Sequence, residues 1–321
     1  MTLTQLKYLV AVAEWQSFSE AAARCFVTQP TLSMQIQALE QELGLQLFDR
    51  KKKPIAITEA GIEIVAMARR ILRSVEQMSQ VAQELRGDMG GKLRLAVLPT
   101  IGPYLLPVVL PQLRRCLPKL TIEIEELSTR HMIRRLLRDE IDVGILSTPL
   151  RRRYPLRIYP LFVERLFVYT SCDYQLAAAD EVSLSDLPLR KLWLLTEAHC
   201  LRSQVVKLLG EQIGVEAVAR DSLIFESSSI ETLVRMVDAA GGWTIIPELA
   251  VSFLPIASMN QVKRLKGICP ARQVSAVTNR HFARTRLLNE FVQLIEQVVS
   301  PLLDTLPDVP ELVPVGAEVL E

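Results

Sequence analysis

The hydrophobic period changes once along this chain, at a glycine-rich break, and that change limits the folds open to it. Before RGDMGGK (86–92), apolar residues recur at helical spacing with few turn residues; after it, short apolar or alternating runs take turns with helical stretches. Helix-on-helix packing and strand–helix alternation bury their apolar faces in different ways, so the two parts read as separate folding units. Gly87, Gly90 and Gly91 mark residues 87–91 as a hinge. A chain of 321 residues has room for two to three such units and needs no disulfide or metal to staple its core.

The helical part resolves further. In LTQLKYLVAVAE, residues Leu6, Leu9, Val10 and Ala13 share one face. Ser17 and Ser19 are cap candidates for a short second helix, SEAAARCF. Thr28 and Pro30 begin a third, PTLSMQIQALEQELG, which Gly44 ends. Its inward face carries Leu32, Ile36, Leu39 and Leu43, and its outward face Gln29, Thr31, Ser33, Gln35 and Gln37. Three short helices with a tight second turn predict a helix-turn-helix. Four consecutive basic residues, Arg50, Lys51, Lys52 and Lys53, then precede a β-like PIAIT, as in a hairpin wing. The net charge of +1 provides no global pull toward nucleic acid, so any DNA contact has to come from such a local run. Glutamine, serine and threonine beside Pro30 on an exposed helix can bond base edges or phosphates. Thr58 and Glu59 open a long helix with an apolar stripe that includes Ile62, Val65, Ala68, Ile71, Leu72, Val75, Met78, Val81 and Leu85. A short wing domain offers such a stripe no core, so a second copy of the chain is its expected partner.

Beyond the hinge the order is strand, helix, strand, helix, strand, which implies open, partly parallel sheets with a ligand cleft. KLRLAVLP, LTIEIEEL, DVGILS, KLWLLT, LIFESS, GGWTIIP, QVKRLKG and RQVSAVTN read as strands, and RIYPLFVERLFVYTS as two. Helices follow Pro103, span RHMIRRLLRDEI, CLRSQVVKLLGEQIG and SIETLVRMVDAA, and close the fold from Thr285 to Val299. The tail 301–321 is rich in proline and acids and reads as flexible. No apolar run reaches the ~18–20 residues of a membrane span. The first residues, with Glu14 and Glu20, lack the pattern of a signal peptide, so a cytoplasmic protein without membrane contact is expected. Five scattered cysteines form no CxxC or His/Cys cluster, so neither a metal nor another cofactor is expected.

The run LKYLVAVAEWQSFSEAAARCFVTQPTLSMQIQALEQELGLQLFDR, followed by ITEAG, resembles the LysR-type transcriptional regulators, and the likeness extends over nearly the whole chain. It implies an N-terminal winged helix-turn-helix (1–58), a dimerising linker helix (59–86) and an α/β effector domain (92–300) like the periplasmic binding proteins. The effector domain would have two subdomains, about 92–163 with 268–300, and about 164–267. The resemblance also implies a homotetramer bound to double-stranded promoter DNA and contact with RNA polymerase. AVLPTIGPYLLPVVLPQL (96–113), PKLTIEIEELSTRHMIRRL (118–136) and LLTEAHCLRSQ (194–204) are similar to the peroxide-sensing OxyR branch. By that likeness Cys200 is the redox-sensing cysteine, Thr100, Thr129 and His199 line its pocket, and Cys25 and Cys269 stand where the branch often has cysteines. Two departures stand out. VVKLLGEQIGVE holds no resolving cysteine, with Leu208 and Leu209 near its place, and Ser203 stands where the branch often has aspartate.

These residues have plain readings too. A helix N-terminus, His199 and Arg202 would together lower the Cys200 thiol pKa and favour the reactive thiolate. Otherwise Cys200 is a buried cysteine in an inherited pocket. Cys172 and Cys269 are the candidate disulfide partners in the effector region, and Cys116, at helical spacing from Leu113, reads as core. Thr100 reads as an N-cap that can also bond an effector. His131 and His281 read as surface residues, and Arg151–Arg153 as a solvated loop. Two functions follow: a regulator responding to hydrogen peroxide through Cys200, or one binding a small anionic metabolite reversibly in the cleft, with Arg202 and Ser203 in the pocket. A solute-binding protein is opposed by the winged helix. An enzyme is opposed by the adjacency of His199 and Cys200, since neighbours at a helix start rarely face each other.

Overall fold

The computed structural model describes residues 1–148, 150, 154–171, 179–197, 199–209, 227, 229–303 and 311–313. The chain divides into two compact units, Met1–Asp88 and Met89–Glu321.

In the first unit, α1 (Leu3–Trp15) starts at a reciprocal cap. Thr2 Oγ1 accepts from the Gln5 N–H at 3.2 Å, and Gln5 Oε1 accepts from the Thr2 N–H at 2.8 Å. Leu6, Leu9 and Val12 are buried, whereas Val10 and Ala13 are half-buried. Val10 and Ala13 pack against the same core, so the predicted face is the buried one, with Val12 added to it. Ser17 caps α2 (Phe18–Arg24), with Ser19 inside the helix. Thr28 caps α3 (Gln29–Leu43), and Gly44 ends it at φ 65°, a left-handed conformation natural to glycine. Leu32, Ile36 and Leu39 enter the core, and Leu43 lies at its edge. β1 (Phe48–Asp49) and β2 (Ala56–Ile57) then pair antiparallel, Phe48 opposite Ile57.

The Thr58 hydroxyl caps α4 (Glu59–Leu85) by accepting from the Gly61 N–H at 3.0 Å. A Cβ at Gly61 would lie 2.2 Å from the Leu47 carbonyl oxygen, so only glycine admits this approach of helix to wing. The expectation that α4 lacks a core is corrected over its first turns. Val65 and Ala68 are buried in the core of this unit, with Ile64 and Leu72 at its border. Ile62, Met67, Ile71, Met78 and Leu85 are exposed.

The second unit is mixed α/β. In chain order it comprises β3 (Gly91–Val97), α5 (Gly102–Cys116), β4 (Leu120–Glu126), α6 (Thr129–Leu137), β5 (Val143–Thr148) and β6 (Leu156–Thr170). β7 (Glu181–Val182), α7 (Cys200–Leu209), α8 (Ile230–Ala240), β8 (Trp243–Pro247) and α9 (Glu248–Val251) follow. β9 (Val262–Leu265), β10 (Pro270–Asn279), α10 (Thr285–Val299) and β11 (Glu311–Leu312) complete it. Among the described residues the strands run β4-β3-β5-β10-β6-β9-β7, with β8 on β6 and β11 on β10. β3 is parallel to β4 and β5, and β10 is antiparallel to β5 and β6.

Four predictions about this unit are corrected. RIYPLFVERLFVYTS is one strand, β6, not two. It pairs with β10 up to Arg165 and with β8 from Leu166, and a register shift in β10 at Val274/Ser275 accommodates Pro160, which has no N–H to donate. KLWLLT forms no ladder; Leu192 and Leu195 make isolated bridges to Trp243 and Ser227. LIFESS, apart from Ser227, and the end of the CLRSQVVKLLGEQIG helix past Leu209 fall outside the described residues, as do Arg151–Arg153 and Cys172. Cys116 is exposed, because Leu113 takes the inward position one turn earlier in α5. The tail is not wholly free of the fold: β11 adds a short parallel strand to β10, and Val313 is buried.

Candidate functional site

Two groups of residues deserve a chemical account, one in each unit. In the first unit, Gln29, Pro30, Thr31 and Gln37 are exposed on α3, and Ser33 and Gln35 are half-buried. Thr31 faces the cap: its hydroxyl lies 2.8 Å from that of Thr28. The tip between β1 and β2 carries Lys51, Lys52 and Lys53, all exposed. Arg50 behaves differently. Its Nη2 meets Glu40 Oε2 at 2.9 Å, its Nη1 donates to Ser33 Oγ at 3.2 Å, and its guanidinium lies 4.9 Å from the centre of the Phe18 ring. Glu40 Oε1 meanwhile accepts from the Leu47 N–H at 2.8 Å and the Phe48 N–H at 3.3 Å. Glu40 and Phe18, neither singled out from the sequence, therefore tie the wing to α3. Arg50 orients the wing and has part of its charge matched, while the three lysines present theirs to solvent.

In the second unit, the C-terminal ends of the parallel strands β3 and β4 lead into the starts of α5 and α6, and there Thr100 and Thr129 are buried. Thr129 is the first residue of α6, and its hydroxyl is hydrogen-bonded to the Cys200 thiol at the start of α7. Thr100 is not the N-cap of α5; Ile101 holds that position without a side-chain bond. Instead, Thr100 meets Arg272 of β10. Arg272 Nη1 donates to Thr100 Oγ1 at 3.3 Å and Nη2 to the Thr100 carbonyl at 3.0 Å. On its other side, Arg272 Nε donates to Glu164 Oε1 at 2.8 Å, and Glu164 Oε2 accepts from the Leu249 N–H at 2.9 Å. Both charged side chains are 1% exposed. A buried pair of this kind persists only when its remaining donors and acceptors are satisfied, and here the backbone and Thr100 satisfy them.

The electrostatics reverse one expectation. Burial pushes the Cys200 thiol up to about 11, and the Thr129 hydrogen bond and the charge of Arg272 offset only part of this. The resting group is a protonated thiol. Arg202, expected to lower the thiol pKa, donates to the Leu195 carbonyl at 2.9 Å and sits near Glu197, so it serves the loop before α7. The Ser203 hydroxyl donates to the Cys200 carbonyl at 3.1 Å and is bound back onto its own helix. His199 is buried, and burial lowers its pKa, so it is neutral near pH 7. The fold thus gathers Cys200, Thr129, Thr100 and Arg272, backed by Glu164, into one buried cluster. No short motif surrounds Arg272 or Glu164 in the sequence; the only available signal was a charged residue set within an otherwise apolar strand, as in LFVERLFV. Among the described residues, no group of His, Cys, Asp and Glu could hold a metal ion, and no helix is long and apolar enough to cross a membrane.

Comparison with known proteins gives the following. The LysR substrate binding domain matches residues 86–300, and the bacterial regulatory helix-turn-helix protein of the lysR family matches residues 3–62. A hydrogen peroxide-inducible genes activator from Dickeya chrysanthemi is 38% identical over 251 residues, covering 78% of this chain and 80% of that protein. A full-length OxyR from Pseudomonas aeruginosa, with a cysteine-to-aspartate change, is 32% identical with a TM-score of 0.70, covering 93% of this chain and 98% of that one. An H2O2-bound cysteine-to-serine mutant of Corynebacterium glutamicum OxyR is 26% identical with a TM-score of 0.63, covering 96% of this chain and 98% of that one.

Proposed function

This chain belongs to the LysR family of transcriptional regulators and has OxyR homologues, and from that premise we propose that it senses hydrogen peroxide through Cys200. The observation that carries this reading is the buried hydrogen bond between the Cys200 thiol and Thr129, within the field of the Arg272 charge. Peroxide entering there would bond the Thr100 and Thr129 hydroxyls. The sulfur attacks one peroxide oxygen, an S–O bond forms and the O–O bond breaks. The thiol proton goes to the departing oxygen and leaves as water. Cysteine is oxidised to sulfenic acid as peroxide is reduced. Negative charge builds on sulfur and then on the leaving oxygen, and Arg272, already fixed by Glu164, stabilises it without rearrangement. His199, buried beside Cys200, contributes shape. The reading is of a sensor that is consumed and reset, not of an enzyme that turns over.

We further propose that Gln29, Pro30, Thr31, Gln35 and Gln37 face promoter DNA, with Lys51, Lys52 and Lys53 on its phosphates and Arg50 and Ser33 bracing the wing. The exposed Ile71, Met78 and Leu85, at heptad spacing on α4, support pairing with a second copy. The division of 92–300 into two lobes is supported by the change of β6 partner between Arg165 and Leu166. A cytoplasmic setting and contact with RNA polymerase follow from the regulatory role.

The test is selective oxidation. Reduced protein is treated with a slight molar excess of hydrogen peroxide, and each thiol is mapped by intact and peptide mass beside Cys200→Ser. Fast addition of one oxygen at Cys200, or a new disulfide from it to Cys172 or Cys269, is the expected result. A rate no greater than that of a free thiol would turn the reading toward a reversibly bound small anion.

A further inference from the structure

The C-terminal segment touches two of the elements that carry the thiol cluster, β10 and α7. β11 lies parallel to the start of β10, with Leu312 opposite Ala271, and the Val313 N–H donates to the Ala271 carbonyl at 2.8 Å. Ala271 immediately precedes Arg272. The Val313 carbonyl, in turn, accepts from Gln204 Nε2 at 3.0 Å, and the same nitrogen donates to Ser147 Oγ of β5 at 3.1 Å. Gln204 lies four residues after Cys200 on α7, so the two share a face one turn apart.

Gln204 is completely buried, and among the described residues its Oε1 has no hydrogen-bond partner. Leucine at this position would carry no such oxygen. A buried amide with an orphan oxygen is unfavourable, so its two donated bonds must hold it in place. One of them exists only while residues 311–313 are docked. Pro310 and Pro314 flank this stretch in the sequence, and proline cannot donate to a ladder. A three-residue attachment is the kind of element that opens locally without global unfolding.

We infer that residues 311–313 form a strap that seats α7, and that Gln204 is the positioning residue through which the strap acts on Cys200. Docked, the strap holds α7 so that the thiol meets Thr129. When Cys200 becomes sulfenic acid, the added oxygen must be housed on the same helix face, and the release of Gln204 from Val313 lets α7 move. The inference rests on the reading of Cys200 as the reacting thiol, but its test does not depend on peroxide.

Four full-length or shortened proteins are compared in the reduced state: wild type, a chain ending at Leu303, Gln204→Leu, and the combination. Hydrogen exchange is followed over α7, and the rates of alkylation by iodoacetamide are followed at Cys200 and, as a control in the other unit, at Cys25. Truncation and Gln204→Leu should each speed α7 exchange and Cys200 alkylation roughly fivefold, the effect of one net hydrogen bond, with Cys25 unchanged. The combination should fall short of the two effects added together, because both break the link between Gln204 and Val313. Unchanged α7 exchange on truncation overturns the inference. So does a truncation effect as large in Gln204→Leu as in wild type, which would place the action of the tail elsewhere. If the shortened chain does not fold, Val313→Pro replaces it, removing the N–H given to Ala271 while keeping the chain. A Cys200 inert to peroxide in every variant sinks the peroxide reading alone and leaves these two readouts intact.

Discussion

Arg50 with Glu40 and Arg272 with Glu164 are the same chemical pair in opposite settings. The first joins residues ten positions apart, with side chains 36% and 12% exposed. The second joins residues 108 apart, each 1% exposed. Water screens the first and competes for its partners, so it orients a hairpin at little cost if lost. The second stands in a medium that magnifies both its attraction and the penalty of leaving either member alone. The same pair is a brace in one unit and a fixed source of field in the other, and burial alone makes the difference.

The largest effect is expected from Arg272→Met. It strands the Glu164 carboxylate in the core and should destabilise the second unit by about 3–5 kcal/mol in denaturant unfolding. Adding Glu164→Leu should restore part of that loss. If Arg272→Met costs no more than Arg50→Ala does, the contrast between the pairs fails.

The next effect concerns the field at Cys200. Burial raises the thiol from its ordinary value near 9 to about 11. Its thiolate fraction should therefore climb about tenfold per pH unit from pH 8 to 10, a roughly hundredfold rise in alkylation rate. The folded chain keeps a proton that the unfolded chain has lost, so stability falls as pH rises from about 9 to 11. A Cys200 rate already level at pH 7 would mean that Arg272 outweighs burial.

Smaller effects belong to the wing. Lys51→Ala should weaken binding to a promoter fragment and lower the slope of log affinity against log salt by about 1. Arg50→Ala should change the slope less, because Glu40 already matches part of its charge, and should cost about 0–1 kcal/mol in stability. Equal slopes for the two variants would show Arg50 to be a phosphate contact like its neighbours.

The first unit was legible because its determinants are local. Thr28, Pro30 and Gly44 delimit α3, Thr58 starts α4, and each signal lies within a few residues of what it controls. Cys200, Thr129 and Thr100 were legible in a weaker sense, since their neighbourhoods resemble a known branch and the geometry then showed two of them in contact. The tail was read from composition, which speaks of solvated proline and acid but not of three residues finding an open stretch of β10.

By itself the sequence determined where helices start and stop, where the period changes from helix to alternating strand, and which family this chain belongs to, because caps, breakers and motifs act over short stretches. Only the tertiary structure decided that Arg272, paired with Glu164, sets its charge near the thiol, that Arg202 bonds the Leu195 carbonyl instead, that Cys200 rests as a thiol and that Val313 reaches Gln204. Those facts depend on contacts between residues far apart in the chain and on how much water each charge retains, and both are settled only when the sheet closes over them.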